Sequence, residues 1–328
     1  IYVAGALVIN KVLGPKPPKN TMREPDSVYA LSAARNSPRP YEPLPLLFGE
    51  VRITADLASL PYTWFSGNDQ WLGFVLCAGI NVGKVADLRN GDTPLASYQN
   101  AYAYYNGFPG MASQEIPLFS NADTIAGGEL NKNGNWVHRT TPPDTVRILI
   151  DLEFAPGDMT AKGKPLGNRE TVIAEYRAVG TGNWFSLGYL NLWGDNYDTK
   201  RREISANVQR GQYDVRVRRA GQAVEIERGK AQFAFTTMTC VQADDADYAG
   251  ISRIGVMVKA TGQLNGAMDE MNCLGTAAPL QMWTGTAWTT ATTRAQGLSN
   301  PGAQILAYAR GFRDENGRII AGIGLADE

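Results

Sequence analysis

A single histidine, His138, occurs in this sequence of 328 residues, so any Ser–His–Asp or Cys–His arrangement would have to be built on it. It lies in GNWVHRTTPPD, a turn-like stretch, and reads as a surface or strand-end histidine rather than a catalytic base. Neither a GxSxG elbow, an HExxH helix nor a GxxxxGKS/T phosphate loop occurs. Glycine-rich pieces such as GTGNW at residues 180–184 fall between strand-like segments and read as hairpin turns. Cys77, Cys240 and Cys273 are far apart and form no CxxC pair. With one histidine there is little to hold zinc. Buried thiols in a chain folded in a reducing cytosol, with no required disulfide, are the expectation.

Carboxylates offer a second chemistry. Asp244, Asp245 and Asp247 in QADDADYAG form the densest acidic group. They could supply oxygens to calcium, but their spacing lacks the glycine and terminal glutamate of an EF-hand loop, and they read as a solvated loop. Asp195 and Asp198 in WGDNYDTK read the same way. Asp151 and Glu153, two apart on a strand, share a face. Paired carboxylates serve glycosidases, yet such pairs are ordinary on solvent-facing sheets. Tyr98, Tyr102, Tyr104 and Tyr105, with Trp184, Trp193, Trp283 and Trp288, could stack on sugar rings. Aromatics equally serve sheet faces and subunit contacts, which is the preferred reading. The expectation is no catalytic, cofactor-binding or metal-ligating set, and no enzyme.

The elements that would position these residues are mostly strands. Residues 14–46 are rich in proline and poor in periodic apolar positions, an extended arm with one possible short helix over Ser27–Ala34. In NSPRPYEPLPLLFGEVRIT, Pro38, Pro40, Pro43 and Pro45 precede a strand-like run. Proline fixes φ and cannot donate to a ladder, so these residues form a stiff extended lead that sets how LLFGEVRIT enters its sheet. WLGFVLCAG follows as a strand, and Asn90-Gly91 and Asn106-Gly107 mark turns. From Val146 the alternation sharpens: VRILIDLEF, TVIAEYRAV, NWFSLGYL and YDVRVRRAG suggest a small antiparallel sandwich. In VRVRR, Val215 and Val217 face one side, and Arg216 and Arg218 form a solvated or partner-facing basic side. EIERGKAQFAFTTMTCV and ISRIGVMVKATGQLNG are further strands, and Pro301-Gly302 sits where a helix through Ile305–Gly311 would start.

The expected fold class is mainly β (β-rich α+β), several small antiparallel barrel or sandwich domains with few short helices. Its divisions are an arm at 1–35, a β-rich domain's first part at 36–145, an inserted sandwich at 146–220, and the second part at 221–328, continuing further. Charged residues make up 19%, below the roughly 25% usual in soluble domains, which suits surface covered by partners. A net charge of −1 gives no global field for nucleic acid or an anionic membrane. The opening apolar run reaches about Leu13 and includes Asn10 and Lys11. It is shorter than the roughly 20 residues of a spanning helix and reads as a docking helix or arm in preference to a membrane anchor.

An ordered set of stretches carries a resemblance. NSPRPYEPLPLLFGEVRITADLASLPYTWF, GNDQWLGFVLCAG, DLRNGDTPL, YDVRVRRAG, GISRIGVMVKATGQLNGAMDEMNCL and PLQMWTGTAWTTATTRAQGLSNPGAQILAYA run in that order from residue 36 towards the end of the chain. Together they resemble the N-terminal part of the tail tip, or host-specificity, proteins of lambda-like long-tailed phages, the protein J family. The resemblance implies a structural virion protein at the distal end of the tail, made in the host cytoplasm. It implies a homotrimeric hub that closes the tail tube, joins the six-fold tube to a three-fold tip and opens to release tape-measure protein and DNA. Implied partners are other tail tip or baseplate proteins, distal tube proteins, tape-measure protein in the lumen, and a host receptor reached through a C-terminal part beyond this chain. Tight sequence-specific nucleic-acid binding is not implied, nor is any catalytic residue.

Near-neutral charge suits a conduit that DNA must pass through without being gripped. A β-rich glycan-binding or carbohydrate-active protein is the alternative, resting on the tryptophans and acidic loops. A secreted or membrane-tethered surface protein is a third reading, resting on the apolar opening.

Overall fold

The computed structural model describes residues 31–155, 158–159, 165–194, 198–220, 232–264 and 266–325. Strands dominate, and the one α-helix among the described residues is Pro301–Arg310. It begins where the sequence places it. The Asn300 side chain accepts hydrogen bonds from the Gly302 and Ala303 amides, and Pro301 occupies the first turn, where its missing amide costs nothing.

Two apolar cores organise the strands. Around the first, a five-stranded sheet runs in the order Asp56–Leu57, Asp69–Ile80, Ile251–Lys259, Ala101–Asn106, with Tyr62–Ser66 also paired to Asp69–Ile80. A four-stranded sheet of Glu50–Thr54, Met271–Ala277, Val82–Asn90 and Thr93–Pro94 accompanies it. Residues early and late in the chain thus share sheets. The strand Asp69–Ile80 explains its own unbroken apolar run. Leu72, Phe74 and Leu76 enter the first core, while Val75 turns to a separate cluster behind the sheet, so both faces are covered. Asn81, at φ 62°, carries the chain from one sheet to the other.

The second core lies between two four-stranded antiparallel sheets. One is Val137–Thr140, Tyr213–Arg219, Asn168–Ala178 and Phe185–Gly194; the other is Lys200–Gly211, Thr145–Ala155, Gln232–Gln242 and Ala122–Glu129. Ile148, Ile150, Leu152 and Phe154 alternate inward from one sheet and meet Val172, Ala174, Val215 and Val217 from the other. Leu130 before residue 146 and Phe233, Phe235, Met238 and Cys240 after residue 220 complete this core. At the corner where the chain crosses between sheets, the Tyr213 hydroxyl donates to the Gln209 carbonyl four residues upstream. The Tyr213 amide donates to the Thr141 hydroxyl at 3.0 Å. A tyrosine tied back in this way is a corner device of immunoglobulin-like sandwiches.

Three local expectations are corrected. Leu31–Ala34, the described part of the SVYALSAA segment, is not helical but a strand parallel to Gly266–Met268. It is anchored by the Leu31 amide, which donates to the Gln70 side chain at 3.1 Å. Nearby, the buried Asn36 amide group donates to the Ala55 and Met271 carbonyls at 2.8 and 2.9 Å and accepts from the Met271 amide at 2.7 Å. The proline lead is not extended throughout: Tyr41, at φ 65°, turns the chain within it. Nor does LLFGEVRIT form one strand. Leu46 makes a single parallel bridge to Ile80, and pairing resumes only at Glu50, after Gly49 at φ 70°. The lead instead docks sideways, with the Ile80 amide donating to the Pro45 carbonyl at 2.8 Å. Gly79 permits that approach, since a Cβ there would lie 2.3 Å from the same oxygen.

Candidate functional site

The two cores meet along a seam. Strand Tyr62–Ser66, hydrogen-bonded within the first region, lies on the outer face of the sheet built on Thr145–Ala155. The Thr239 hydroxyl donates to the Thr63 carbonyl at 3.5 Å. Asn68 spans the junction, donating to the Thr199 carbonyl at 3.3 Å and accepting from the Arg201 amide at 2.8 Å. One end of the seam is apolar: Tyr62, Val75, Leu118 and Ala122 are buried together, with Trp64 and Phe119 packed against them. The Tyr62 hydroxyl accepts from the Phe119 amide at 3.1 Å, and burial pushes its pKa up to about 12.

The other end is acidic and short of partners. Ile148, Ile150, Leu152 and Phe154 fill the second core, so the alternating Arg147, Leu149, Asp151 and Glu153 point to the seam. Asp151 is 2% exposed and stands opposite Glu203 in the antiparallel register, where side chains approach within about 5 Å at Cβ. Asp151 Oδ1 and Glu203 Oε2 are both buried and find no hydrogen-bond partner. Burial, with the Glu203 charge behind it, raises the Asp151 pKa to about 8, against smaller opposing effects of the Phe65 backbone amide and Arg201. Burial raises Glu203 too, opposed by the Ser205 hydroxyl, Arg147 and the Phe65 amide. Glu153 instead pairs with buried Arg201 at 3.1 Å. The expectation of a solvent-facing Asp151–Glu153 pair is therefore corrected at Asp151, because a strand from the other core covers that face.

The opposite outer face of the sandwich handles its charge differently. Arg216 lies 4.1 Å from the Trp136 ring centroid and 3.9 Å from that of Trp184, and Arg177 lies 4.6 Å from Trp184. Arg216 also pairs with Glu175 at 2.5 Å. The basic side of VRVRR is thus stacked between aromatic rings. Trp184 thus carries two guanidinium groups over its ring, whereas Trp193 is exposed with the Lys200 ammonium 5.9 Å from its centroid.

The remaining candidates scatter. His138 is exposed on strand Val137–Thr140, edge-on to Trp184 at 6.1 Å. Asp244, Asp245 and Asp247 are exposed and locally engaged, with Tyr248, Arg210 and Arg318 respectively. Asp198 is buried, and Asp195 lies outside the described residues. Tyr98 and Tyr105 pack on the first core, Tyr102 is exposed, and Trp283 and Trp288 pair across a surface hairpin. Cys77, Cys240 and Cys273 are buried free thiols, and burial pushes Cys240 up to about 12 and Cys273 to about 11. Among the described residues no three metal-ligating side chains converge, and no helix is long and apolar enough to cross a membrane. A cavity of about 350 Å³ under the proline lead is lined by Pro38, Pro43, Leu44, Cys77 and Tyr248 among others.

The family model for the FNIII-A domain of tip attachment protein J matches residues 120–243, the stretch that builds the second core. That stretch, less than half of the chain, is similar to a domain of the phage tail tip protein J family. Tip attachment protein J is itself a structural virion component at the phage tail tip. None of the curated proteins matches the sequence. Among solved structures, one described as infectious bursal disease virus Gx strain is 8% identical, with a TM-score of 0.20, covering 74% of this chain and 62% of that one. The chain thus spans less than two thirds of that structure's length. The Yersinia pseudotuberculosis-derived mitogen is 11% identical, with a TM-score of 0.11, covering 36% of this chain and 94% of that one. Both likenesses are too slight to bear on fold or function.

Proposed function

We propose that this chain is a phage tail tip protein and the hub of the distal tail: a homotrimer that closes the tube, joins it to the host-recognition tip, and opens for tape-measure protein and DNA. The observation that carries the reading is the FNIII-A match falling on a sandwich flanked on both sides by segments that share one other core. That arrangement is an interrupted hub, with residues 31–119 and 244–325 as the hub and 120–243 inserted. Apolar surface left open on the hub supports assembly: Ile305, Tyr308, Ile319, Ile323 and Leu325 are exposed near one another in sequence. Assembly of this kind needs no turnover, cofactor or metal, and the conduit has no use for tight nucleic-acid binding.

Light scattering with negative-stain imaging tests the reading. Three copies in a ring are expected, and a dimer about a two-fold axis would overturn it. The proline lead gives a second handle. Tyr41 is fully exposed at its turn, so Pro40→Gly with Pro43→Gly should weaken assembly more than it weakens folding of the isolated chain. Equal losses would make the lead a plain folding element.

A further inference from the structure

The seam holds two acids that nothing in the proposed tail role requires. Asp151 and Glu203 stand opposite each other on adjacent strands, each with a buried oxygen lacking a hydrogen-bond partner. Their cover belongs to the other core, so lifting it would return both to water without dismantling either sheet. We propose that the seam is a proton-operated latch: it shuts with a proton held by the Asp151–Glu203 pair, and ionisation of the pair, with the proton passing to bulk water, releases strand Tyr62–Ser66 from the second region. The inference rests on this seam alone and stands apart from the hub reading.

The groups around the pair favour a proton over any other occupant. From its own strand, Asp151 is flanked by Arg147 and Glu153; from Lys200–Gly211 come Arg201, Glu203 and the Ser205 hydroxyl. Strand Gln232–Gln242 offers Thr237, opposite Asp151, Thr239, and Thr236, whose hydroxyl donates to the Asp151 carbonyl at 3.1 Å. From the covering strand come the Phe65 amide and the Tyr62 phenol, which stays neutral. Arg201 is engaged with Glu153 and lies over the Phe65 ring at 5.1 Å. Arg147 lies over Phe119 at 5.6 Å and reaches the Ser205 hydroxyl at 3.5 Å. Two guanidinium groups beside two carboxylates make a poor cation cage, and no third acidic, histidine or cysteine ligand joins them among the described residues. A shared proton removes the repulsion and supplies a donor to an acceptor that lacks one.

The direction follows from linkage. In the shut seam Asp151 holds its proton to about pH 8, against 3.8 for the free side chain. The shut form therefore binds more protons, so opening is favoured as pH rises across that window, by about tenfold per pH unit for one proton, and levels off above it.

Two backbone amides report the latch because their acceptors are seam groups: Arg201 to Asn68 and Phe119 to Tyr62. Hydrogen exchange of the full chain from pH 5 to pH 9, corrected for intrinsic chemistry, should show both becoming steadily less protected through neutrality. Ile150, deep in the second core, should keep constant protection. Asp151→Asn should flatten the dependence, and Glu203→Gln should make it level off at a lower pH. A flat wild-type profile, or a profile in either variant indistinguishable from the wild type, would overturn the latch. So would calcium restoring protection at pH 8, which would mark a cation site instead. If Asp151→Asn does not fold, the Glu203→Gln profile decides alone.

Discussion

Glu170 and Asp151 are equally buried, each 2% exposed, and both sit on central strands of the same sandwich, yet they are treated in opposite ways. Glu170 meets the Arg219 guanidinium at 2.6 Å, and its other oxygen accepts from the Thr171 amide at 3.1 Å. Arg219 in turn lies 4.3 Å over the Phe233 ring. Asp151 faces another carboxylate and keeps one oxygen unpartnered. The first acid sits inside one sandwich, where a fixed counter-charge can be packed permanently. The second sits between two bodies. Burial does not decide what a carboxylate contributes; the permanence of its cover and the sign of its neighbour do.

The largest expected effect comes from breaking the satisfied pair. Glu170→Ala leaves Arg219 buried without its counter-charge and should cost about 3–5 kcal/mol in chemical denaturation. Replacing both partners with apolar residues of similar volume should cost much less. A small loss for Glu170→Ala alone would mean that water reaches Arg219, and the contrast with Asp151 would collapse.

Asp151→Asn should act with the opposite sign. The native pKa of Asp151 lies above its unfolded value, so its contribution is intact below about pH 4 and erodes as pH rises to about 8. The neutral variant escapes that erosion. Its stability should equal that of the wild type near pH 4 and exceed it by about 1–3 kcal/mol at pH 8, a range set by the loss of one buried ionisation. Denaturation midpoints at the two pH values check this, and a variant less stable at pH 8 would show that the ionised carboxylate is wanted there.

The contrast between these acids was only partly legible in the sequence. Alternation in VRILIDLEF and YDVRVRRAG gave the strands and their inward faces, because a period of two is a local property. The same pattern placed Asp151 away from its own core, which was right, and then in solvent, which was not. The cover comes from Tyr62–Ser66, some ninety positions earlier, and no local pattern announces it. Glu203 was invisible as a partner for the same reason, since register between Thr145–Ala155 and Lys200–Gly211 is set by the whole sheet. The strand Ala122–Glu129 was missed because ADTIAGGE has few apolar residues and two glycines. It joins the second core chiefly through Ile125. The proline lead was legible as stiff but not as turned, because Tyr41 adopts a positive φ that its residue type does not favour.

A smaller effect tests whether the sandwich holds its shape independently of the seam. Tyr213→Phe removes only the hydroxyl that ties the corner to Gln209, while its ring keeps contact with Tyr176 at 5.5 Å. One neutral hydrogen bond is worth about 0.5–1.5 kcal/mol net, and the loss should be the same at pH 5 and pH 8. A loss that grew with pH would tie the corner to the latch and merge two devices that the structure keeps apart.

The smallest effect is expected where a carboxylate has neither cover nor deficit. Arg210 bridges Asp144 at 2.8 Å and Asp245 at 2.7 Å, with all three side chains at least half exposed. Water screens such pairs and salt screens them further. Arg210→Ala should therefore leave the thermal midpoint unchanged within measurement scatter, and molar salt should erase any residue of a difference. Calcium should not move the midpoint either, since Asp244, Asp245 and Asp247 already have separate partners in Tyr248, Arg210 and Arg318. A clear calcium-dependent rise would mean that these side chains regroup around an ion. The exposed loop would then join Glu170 as an acid site with a dedicated counter-charge, and Asp151 would be left as the exception.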